Sequence, residues 1–356
     1  MKKMWKSTVV CAIVVVLSFV FALGSFAASP SPSPEEAVQC TADYLYGQLA
    51  GDITAYDGAV IVNLIRAGKD CGDFAAQLKE AETEALSEAP GSVTFAQQAI
   101  NAAAVKLTGG EASLPEYTED IELAAENPYT LCALLPLISE GGPLFGGESE
   151  ALAADIIEAL KRYYNSESEK GFDYYGYSAD TNGLFYGALK SYEAQDSSLT
   201  PILNAALGYM KSVESDAGYG FSEEFPEANA SSTAGALTAF AAAGDTEACA
   251  KAYKSLMSFM SEEESGAFKY GETVSLFSTT DALRALLDYR TLLSSEPTQT
   301  QTQTPAPTPS GTPVNDVQNP ETGASAGDSG TSVLVLAMAA VAAAAVLYRR
   351  RRALCR

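Results

Sequence analysis

The sequence contains no histidine among its 356 residues. Histidine is the side chain whose charge changes near neutral pH, and it is the commonest metal ligand in proteins. Its absence excludes Ser-His-Asp and Cys-His nucleophile systems, zinc sites that require imidazole, and H-E-x-x-H metal hydrolases. A glycine-rich phosphate loop and an EF-hand-type loop are also missing. The sequence thus predicts no catalytic motif, no resident metal and no cofactor, and it leaves calcium only to scattered loop acids.

Basic residues are scarce. The chain has 22 Lys and Arg against 45 Asp and Glu, a formal net charge of −23. So acidic a surface repels nucleic acid and anionic lipid head groups, and it favours cations or neutral partners. Nucleic-acid binding is therefore excluded. The acidity is typical of a solvated, aggregation-resistant exterior, and a dedicated cation-binding role is the alternative.

Residues 1–27 have the pattern of a secretory signal peptide. Three lysines precede an apolar run, and Ser25 and Ala27 are small residues at the two positions that signal peptidase reads. We expect a Ser-Pro spacer at 28–34 to follow, because its prolines disfavour a helix. The folded domain is then predicted at 35–294.

The C-terminal region carries a short motif, an apolar segment and a basic tail, in that order. The apolar segment 333–347 approaches the length that spans a bilayer core of about 30 Å, and four arginines at 349–352 would hold the end in the cytoplasm. The motif that precedes them is Asn319-Pro320-Glu321-Thr322-Gly323. This pattern predicts a C-terminal transmembrane sorting helix.

The same order resembles the sorting signal of Gram-positive surface proteins, although Asn319 stands where the commonest motif has Leu. The resemblance implies that a sortase cuts between Thr322 and Gly323, joins Thr322 covalently to peptidoglycan and removes Gly323 together with the hydrophobic segment and basic tail at 324–356. It implies a secreted, cell-wall-anchored protein that is membrane-anchored before cleavage. An ordinary C-terminal membrane anchor is the alternative. Before the motif, residues 295–318 are rich in Thr, Gln, Pro and Ser, which predicts a disordered stalk.

Six cysteines are present, of which Cys11 and Cys355 lie in segments expected to be removed. The remaining four permit two disulfides in any of three pairings, and they are Cys40, Cys71, Cys132 and Cys249. Cys132 and Cys249 lie in Ala- and Leu-rich helical patterns, where a free thiol packs as a small hydrophobe. We therefore favour unpaired core cysteines.

The domain at 35–294 has apolar residues at helical spacing and little strand-like alternation, which predicts an all-α fold. It also contains an internal repeat of Ala-rich helices, alternating with amphipathic stretches at 150–164, 199–213 and 247–260. The clearest copies begin at Asn182, Thr233 and Thr279, a further copy begins at Thr130, and looser matches begin at Asp57 and near Gln98. About six inner and six outer helices would form a closed barrel.

Three segments precede the clearest copies and carry a family resemblance: Gly171-Phe172-Asp173-Tyr174-Tyr175, Gly218-Tyr219-Gly220-Phe221 and Gly266-Ala267-Phe268. Here the chain resembles the α/α-toroid superfamily of terpenoid cyclases, protein prenyltransferases and the corrinoid carriers related to intrinsic factor. The resemblance implies an α/α toroid and suggests a corrinoid or other small nutrient as ligand. It departs from the enzymes, because no two aspartates are adjacent and no histidine can hold zinc. The unrelated (α/α)6 barrel of glycoside hydrolases and polysaccharide lyases is the alternative.

The densest aromatic stretch, 163–177, offers tyrosine faces that suit sugar rings or other flat ligands. Tyr175 and Tyr177 have no counterparts in the other copies, so they are our candidate ligand contacts. Asp180 and Glu223 are candidate acids near them, and a glycosidase would need two such carboxylates. The simpler interpretation makes Asp180 a helix N-cap or first-turn acid and Glu223 a solvated surface residue. Two aromatics that recur at matching places, Phe172 and Phe221, are expected to plug gaps between helices.

We therefore expect a cell-wall-anchored surface protein whose toroid domain binds a small ligand or glycan without catalysis, through a tyrosine-lined mouth. An extracellular glycan hydrolase or lyase is the first alternative. A ligand-free surface spacer or adhesin is the second.

Overall fold

The computed structural model describes residues 31–118, 121–140, 149–168 and 170–295. The predicted signal peptide, sortase motif, hydrophobic segment and basic tail lie outside these residues, as does the predicted stalk from 296 onward. Across the four described ranges, every helix is too short or too polar to cross a membrane.

The described chain is mostly helical with little strand, in agreement with the predicted all-α class. Its eleven α-helices are α1 (Pro34–Leu49), α2 (Gly58–Arg66), α3 (Gly72–Glu88), α4 (Phe95–Leu107), α5 (Pro128–Glu140), α6 (Ser149–Lys161), α7 (Ala179–Leu189), α8 (Leu199–Ser212), α9 (Ala230–Ala243), α10 (Thr246–Met257) and α11 (Leu276–Ser295). Two antiparallel hairpins complete it, β1 (Glu214–Ser215) with β2 (Gly218–Tyr219) and β3 (Lys269–Tyr270) with β4 (Thr273–Val274).

Six of the helices contact one another in cyclic order: α2, α4, α5, α7, α9, α11 and again α2. We call these the cyclic set. All six copies of the predicted repeat lie in these helices. The cycle closes between helices at opposite ends of the described chain, where Arg290 on α11 donates a hydrogen bond to the backbone oxygen of Arg66 at 2.7 Å. The other five helices form the flanking set, and each packs on at least one member of the cyclic set.

The helices of the cyclic set and of the flanking set differ in side-chain size and in burial. Helix α9 consists mainly of Ala, Gly, Ser and Thr, and almost all of it is buried. Its neighbour α10 buries one face only, as an amphipathic helix on the outside of a core does. The glycines at the α7–α9 contact are essential to it, because a Cβ added to Gly183 would lie 2.1 Å from the carbonyl oxygen of Gly235. Small residues therefore let the cyclic helices approach closely.

The domain boundaries differ slightly from those predicted. Pro34 was expected in the non-helical spacer 28–34, but it is the first residue of α1. Proline fits this position because the first N–H groups of a helix have no intrahelical partner. Ser33 caps the helix, and Glu36 returns a hydrogen bond by accepting from the Ser33 N–H at 2.8 Å. At the other end α11 runs to Ser295, one residue beyond the predicted domain.

The repeat is held by one recurring hydrogen bond. The backbone N–H groups of Phe172, Tyr219 and Phe268 donate to the side chains of Asn182, Thr233 and Thr279 at 2.9, 3.2 and 2.9 Å. All three aromatic side chains are buried. The acceptors are the first residues of the three clearest repeat copies in the sequence. Each of these three copies therefore holds its preceding loop against the start of its own helix.

Phe172 is a buried plug, as predicted, but Phe221 is not. Phe221 is 38% exposed, and Tyr219 occupies the equivalent buried position. The physical reason is the hydrogen bond to Thr233, which fixes Tyr219 rather than Phe221 against the helix. Phe221 instead contributes its backbone oxygen, which accepts from the N–H of Ala179 at 2.9 Å.

The four cysteines of the described chain are free thiols. Cys71, Cys132 and Cys249 are buried in the core, whereas Cys40 is half-buried. Burial raises the pKa of the Cys71 thiol to about 11 and that of the Cys249 thiol to about 12. The preference for unpaired core cysteines agrees with this arrangement.

Candidate functional site

The two candidate tyrosines lie in the loop that precedes α7. Tyr175 is 93% exposed and has a positive φ of 55°. Its ring centroid lies 4.5 Å from that of Tyr174. Tyr177 is half-buried, with its ring against Tyr209, whose hydroxyl donates to the Tyr177 backbone oxygen at 2.8 Å. Tyr175 is thus presented to solvent, while Tyr177 is mainly a packing residue.

Glu223 lies on the outer surface. Its carboxylate pairs with Lys170 at 2.5 Å, and both side chains are 40–50% exposed to solvent. It is close enough to Tyr209 to raise the pKa of that phenol, although burial is the larger cause of the shift to about 12. Tyr209 contacts Tyr177 and also lies near Glu223, so Tyr177 and Glu223 lie on the same part of the surface. The Asp180 carboxyl group faces inward and is not part of that surface.

Asp180 is a first-turn residue of α7, where Ser178 is the N-cap. The expected first-turn placement is therefore correct. The residue as a whole is half-buried, yet its Oδ1 is fully enclosed and accepts no hydrogen bond from any described residue. Burial raises the pKa of this carboxyl group above its usual range. Hydrogen bonds with Ser178 and with the backbone N–H groups of Asp180 and Thr181 oppose this pKa shift, so the cost of an unpaired buried oxygen falls on Oδ1 alone.

The Asp180 carboxyl group borders a cavity of about 10 Å³ in the interior of the cyclic set. The walls come from three consecutive members of that set: Asp180 and Leu184 from α7; Ser231, Ala234, Gly235 and Thr238 from α9; and Asp281 and Arg284 from α11. A space of this size admits about one water molecule. We call it the small cavity.

Asp281 is the second acid at the small cavity, and the sequence did not single it out. Its carboxylate lies 3.6 Å from the guanidinium of Arg284, and its side chain is 14% exposed. Burial raises the pKa of Asp281 to about 7; Arg284 opposes this shift and Asp180 adds to it. Two carboxyl groups and one guanidinium therefore share a poorly solvated space, in which burial favours the protonated form of both carboxyl groups.

Close backbone packing brings these groups together. A Cβ on Gly235 would lie 2.7 Å from the Cα of Asp180, so α9 touches the first turn of α7 directly. On the other side of α9, the hydroxyl groups of Ser231 and Ser278 are 3.1 Å apart and join it to α11. Any larger residue at position 235 would separate α7 from α9 and remove Asp180 from the small cavity.

A second space, the large cavity, has a volume of about 330 Å³. It is lined by α2, α5, α7, α9 and α11, and it opens to solvent beside the exposed Thr291 and Ser295 near the end of α11. Most of its walls are apolar: Ala59, Val62, Cys132, Ala133, Pro136, Leu137, Leu184, Gly187, Ala188, Ala241, Ala242 and Leu292. Its polar lining includes Arg66, Arg284 and Asp288, with Arg66 paired to Asp288 at 3.1 Å. Leu184, Thr238 and Arg284 line both cavities.

An aromatic cluster lies at the opposite end, near the first turns of the cyclic helices. The ring of Tyr174 meets those of Tyr129 and Tyr163 edge-on, each with centroids 5.4 Å apart. The Tyr129 hydroxyl is 2.8 Å from that of Thr181, and burial followed by Asp180 raises its pKa. Tyr129, rather than Tyr175, is therefore the tyrosine that reaches the acids.

The described residues offer no cluster of three or more Cys, Asp or Glu side chains that could hold a metal ion. The site combines apolar walls in the large cavity with a guanidinium that borders both cavities and two carboxyl groups at the small cavity. No protein-family model matches the chain, and no curated protein matches it.

Proposed function

We propose that this chain is an exported, cell-wall-anchored protein whose helical domain is an α/α toroid that holds a small ligand in the large cavity. The observation that carries the proposal is the position of that cavity, between five of the six helices of the cyclic set. Its volume falls within the range of about 300–1,000 Å³ typical of small-molecule sites, and such sites combine apolar walls with a few polar groups. Both features fit binding.

The toroid is supported by the pattern of helix contacts. Six Ala-rich helices contact in a cycle, and five flanking helices pack around them. This agrees with alternating inner and outer helices. One outer helix of the expected six is replaced: between α4 and α5 the only regular element among the described residues is the short 3-10 turn Leu123–Ala125.

Ligand binding can be tested by thermal unfolding with corrinoids, peptidoglycan fragments, soluble glycans and isoprenoids. A ligand at 100 times its dissociation constant adds about 2.7 kcal/mol of stability. Ala242→Phe places a bulky ring in the large cavity and should abolish the shift, whereas Ala217→Phe, at an exposed position, should retain it. A shift that survives Ala242→Phe would contradict binding in this cavity.

The proposed location at the cell wall is supported by the motif at 319–323 and by the apolar segment and arginines that follow it. In a Gram-positive host, we expect the protein to resist extraction with detergent and to be released by a peptidoglycan hydrolase. Thr322→Ala should leave it in the membrane fraction. Glu321→Gln, at the variable position of the motif, is the matched control and should remain wall-linked. Equal wall linkage of the Thr322→Ala protein would refute the anchor.

A glycan hydrolase or lyase is the second candidate, and the raised pKa of Asp281, about 7, favours it because a general acid must be protonated at working pH. The small cavity, about 10 Å³, is however too small for a sugar ring at these carboxyl groups. Binding without turnover is therefore better supported. Asp281→Asn should abolish turnover and retain binding in an enzyme, whereas the proposed binding protein turns over no glycan with either residue.

A further inference from the structure

Arg284 stands between the two cavities, and we propose that it binds the anionic head group of a ligand whose apolar body fills the large cavity. This inference rests on the binding role proposed above and names the ligand class: a small amphiphilic anion, such as a carboxylate on an aliphatic stem. It also assigns Asp281 a regulatory role, since this carboxylate competes with the ligand for the guanidinium.

The geometry leaves Arg284 able to bind a ligand. Its Nη2 lies 3.6 Å from the Oδ1 of Asp281, which is too long for a hydrogen bond. The pair therefore attracts by charge and leaves the N–H donors of the guanidinium available. The side chain is 23% exposed and borders the large cavity. A guanidinium presents its donors in a planar fork that matches the two oxygens of a carboxylate.

The other arginine of the large cavity is already engaged. The Arg66 guanidinium donates to Asp288 at 3.1 Å, so its charge is compensated by a carboxylate on α11. Arg290 lies nearby, but it donates to the Arg66 backbone oxygen and pairs with Glu35 at 3.5 Å. Among the arginines that line the large cavity, Arg284 is thus the one whose interaction with a carboxylate is loose enough to exchange.

The apolar body of the ligand would lie against the alanine and leucine side chains that line the large cavity. Leu184 lines both cavities beside Arg284, and Ala188 lies one turn further along α7. Burying an aliphatic stem here removes its apolar surface from water, which favours binding. A head group at Arg284 with a stem along α7 satisfies both kinds of surface.

The exchange couples binding to a proton. The charged and titratable groups that act on Asp281 are Arg284 from its own helix and Asp180 from α7. Tyr129 on α5 also faces Asp281, and α9 supplies the Ser231 hydroxyl. When a ligand anion takes the guanidinium, the Asp281 carboxylate loses its counter-charge, lies beside the anion and takes up one proton from solvent. The net charge of the site is then unchanged.

This coupling gives binding a defined pH dependence. Below pH 7 Asp281 is already protonated, because its pKa is about 7, and the affinity for the anion is constant. Above pH 7 each bound anion requires the uptake of one proton, so the dissociation constant rises up to tenfold per pH unit. The affinity for a neutral ligand of the same shape would not change.

Titration calorimetry with octanoate tests the inference, with 1-octanol and octylamine as neutral and cationic controls. The purified protein should bind octanoate at least tenfold more tightly at pH 6 than at pH 8.5, and octylamine should not bind. Buffers of different ionisation enthalpy should report an uptake of one proton at pH 8.5. Asp281→Asn should give tight octanoate binding at both pH values.

Arg284 is tested with a single and a double variant. The double variant is needed because the single change leaves the Asp281 carboxylate without its partner. Arg284→Gln should lose octanoate affinity at least tenfold while keeping that for octanol. The double variant Arg284→Gln with Asp281→Asn removes both charges and should bind the two compounds equally.

Octanoate binding that is unaffected by Arg284→Gln, or that takes up no proton, overturns the inference. If another compound binds and Ala242→Phe blocks it, while octanoate does not bind, the cavity function stands and the anion assignment falls. If no compound binds the cavity, both fall.

Discussion

The carbonyl oxygen of Gly235 on α9 lies where the side chain of any larger residue at position 183 on α7 would begin, since a Cβ on Gly183 would be 2.1 Å from it. The two helices therefore touch backbone to backbone. This contact sets the position of the first turn of α7, and with it Asp180.

We expect Gly183→Ala to lower the free energy of unfolding by about 3 kcal/mol, because the backbone must move apart to accept the methyl group. Gly208 on α8 is the matched control: it is also a helical glycine, but it is exposed and has open space around it. Gly208→Ala should stabilise the protein by about 0.5–1 kcal/mol through helix propensity. Urea unfolding measures both. A Gly183→Ala protein as stable as wild type would contradict the close approach.

The recurring hydrogen bond predicts a second effect. Thr279→Val keeps the shape of the side chain but leaves the buried N–H of Phe268 without its acceptor. The expected loss is about 1–3 kcal/mol, the cost of an unsatisfied buried donor. The adjacent Thr280, whose hydroxyl bonds a backbone oxygen of its own helix, is the control. Thr280→Val should change stability by less than about 0.5 kcal/mol, and equal losses at both positions would refute the assignment.

Stability should fall with rising pH through the Asp281 carboxyl group. Its pKa is about 7 in the folded protein against an ordinary value of 3.8, so the folded state holds the proton more tightly. The stabilisation is full below pH 3.8 and is lost as pH rises toward 7, by up to about 4 kcal/mol at 1.4 kcal/mol per unit. Asp281→Asn should remove this contribution, leave the one from Asp180, whose pKa is also raised by burial, and stabilise the protein at pH 8.

Denaturant unfolding at pH 5 and pH 8 measures the effect. The exposed Asp216 provides the control, and Asp216→Asn should retain the wild-type slope. Unchanged pH dependence in the Asp281→Asn protein would show that this carboxyl group is not the source.

Thiol labelling should distinguish the four cysteines by burial. Cys132 and Cys249 should remain unmodified by a water-soluble disulfide reagent at pH 8 until the protein unfolds, because both are enclosed and burial raises the pKa of both thiols. The half-buried Cys40 should react first. Mass spectrometry of the labelled peptides assigns the order, and the denatured protein, in which all four react, is the reference. Rapid labelling of Cys249 in the folded state would contradict its place in the core.

The repeat could be predicted because its signal is local. Small polar residues followed by Ala-rich helices mark each copy, and the first residues of three copies, Asn182, Thr233 and Thr279, are the acceptors that hold the preceding loops. Burial of Phe172 also followed from its recurrence. Phe221 was misjudged, because two aromatics two residues apart compete for one buried position and only the contact with Thr233 decides between them.

The interior site was harder to predict, because charge alone does not tell which side of a helix faces the cavity. The dense aromatic stretch around Tyr175 predicted a ligand contact there, yet the Tyr175 side chain is almost fully exposed. A usable signal did exist for Asp281. In the three clearest copies, the residues two positions after the first are Leu184, Gly235 and Asp281, and all three line the small cavity. An acid where the other copies carry apolar or small residues indicates a function.

The hydrogen bond from Arg290 to the backbone oxygen of Arg66 joins residues 224 positions apart. Contacts of such long separation form late, because the intervening chain must first be ordered. During synthesis α1 and α2 emerge first, yet they obtain their final cover only when α11 is complete. A chain that stops before Leu276 would therefore leave α1 and α2 without their partner and expose the apolar face of α1 to water. Translation must reach the last helix before the first two can finish folding.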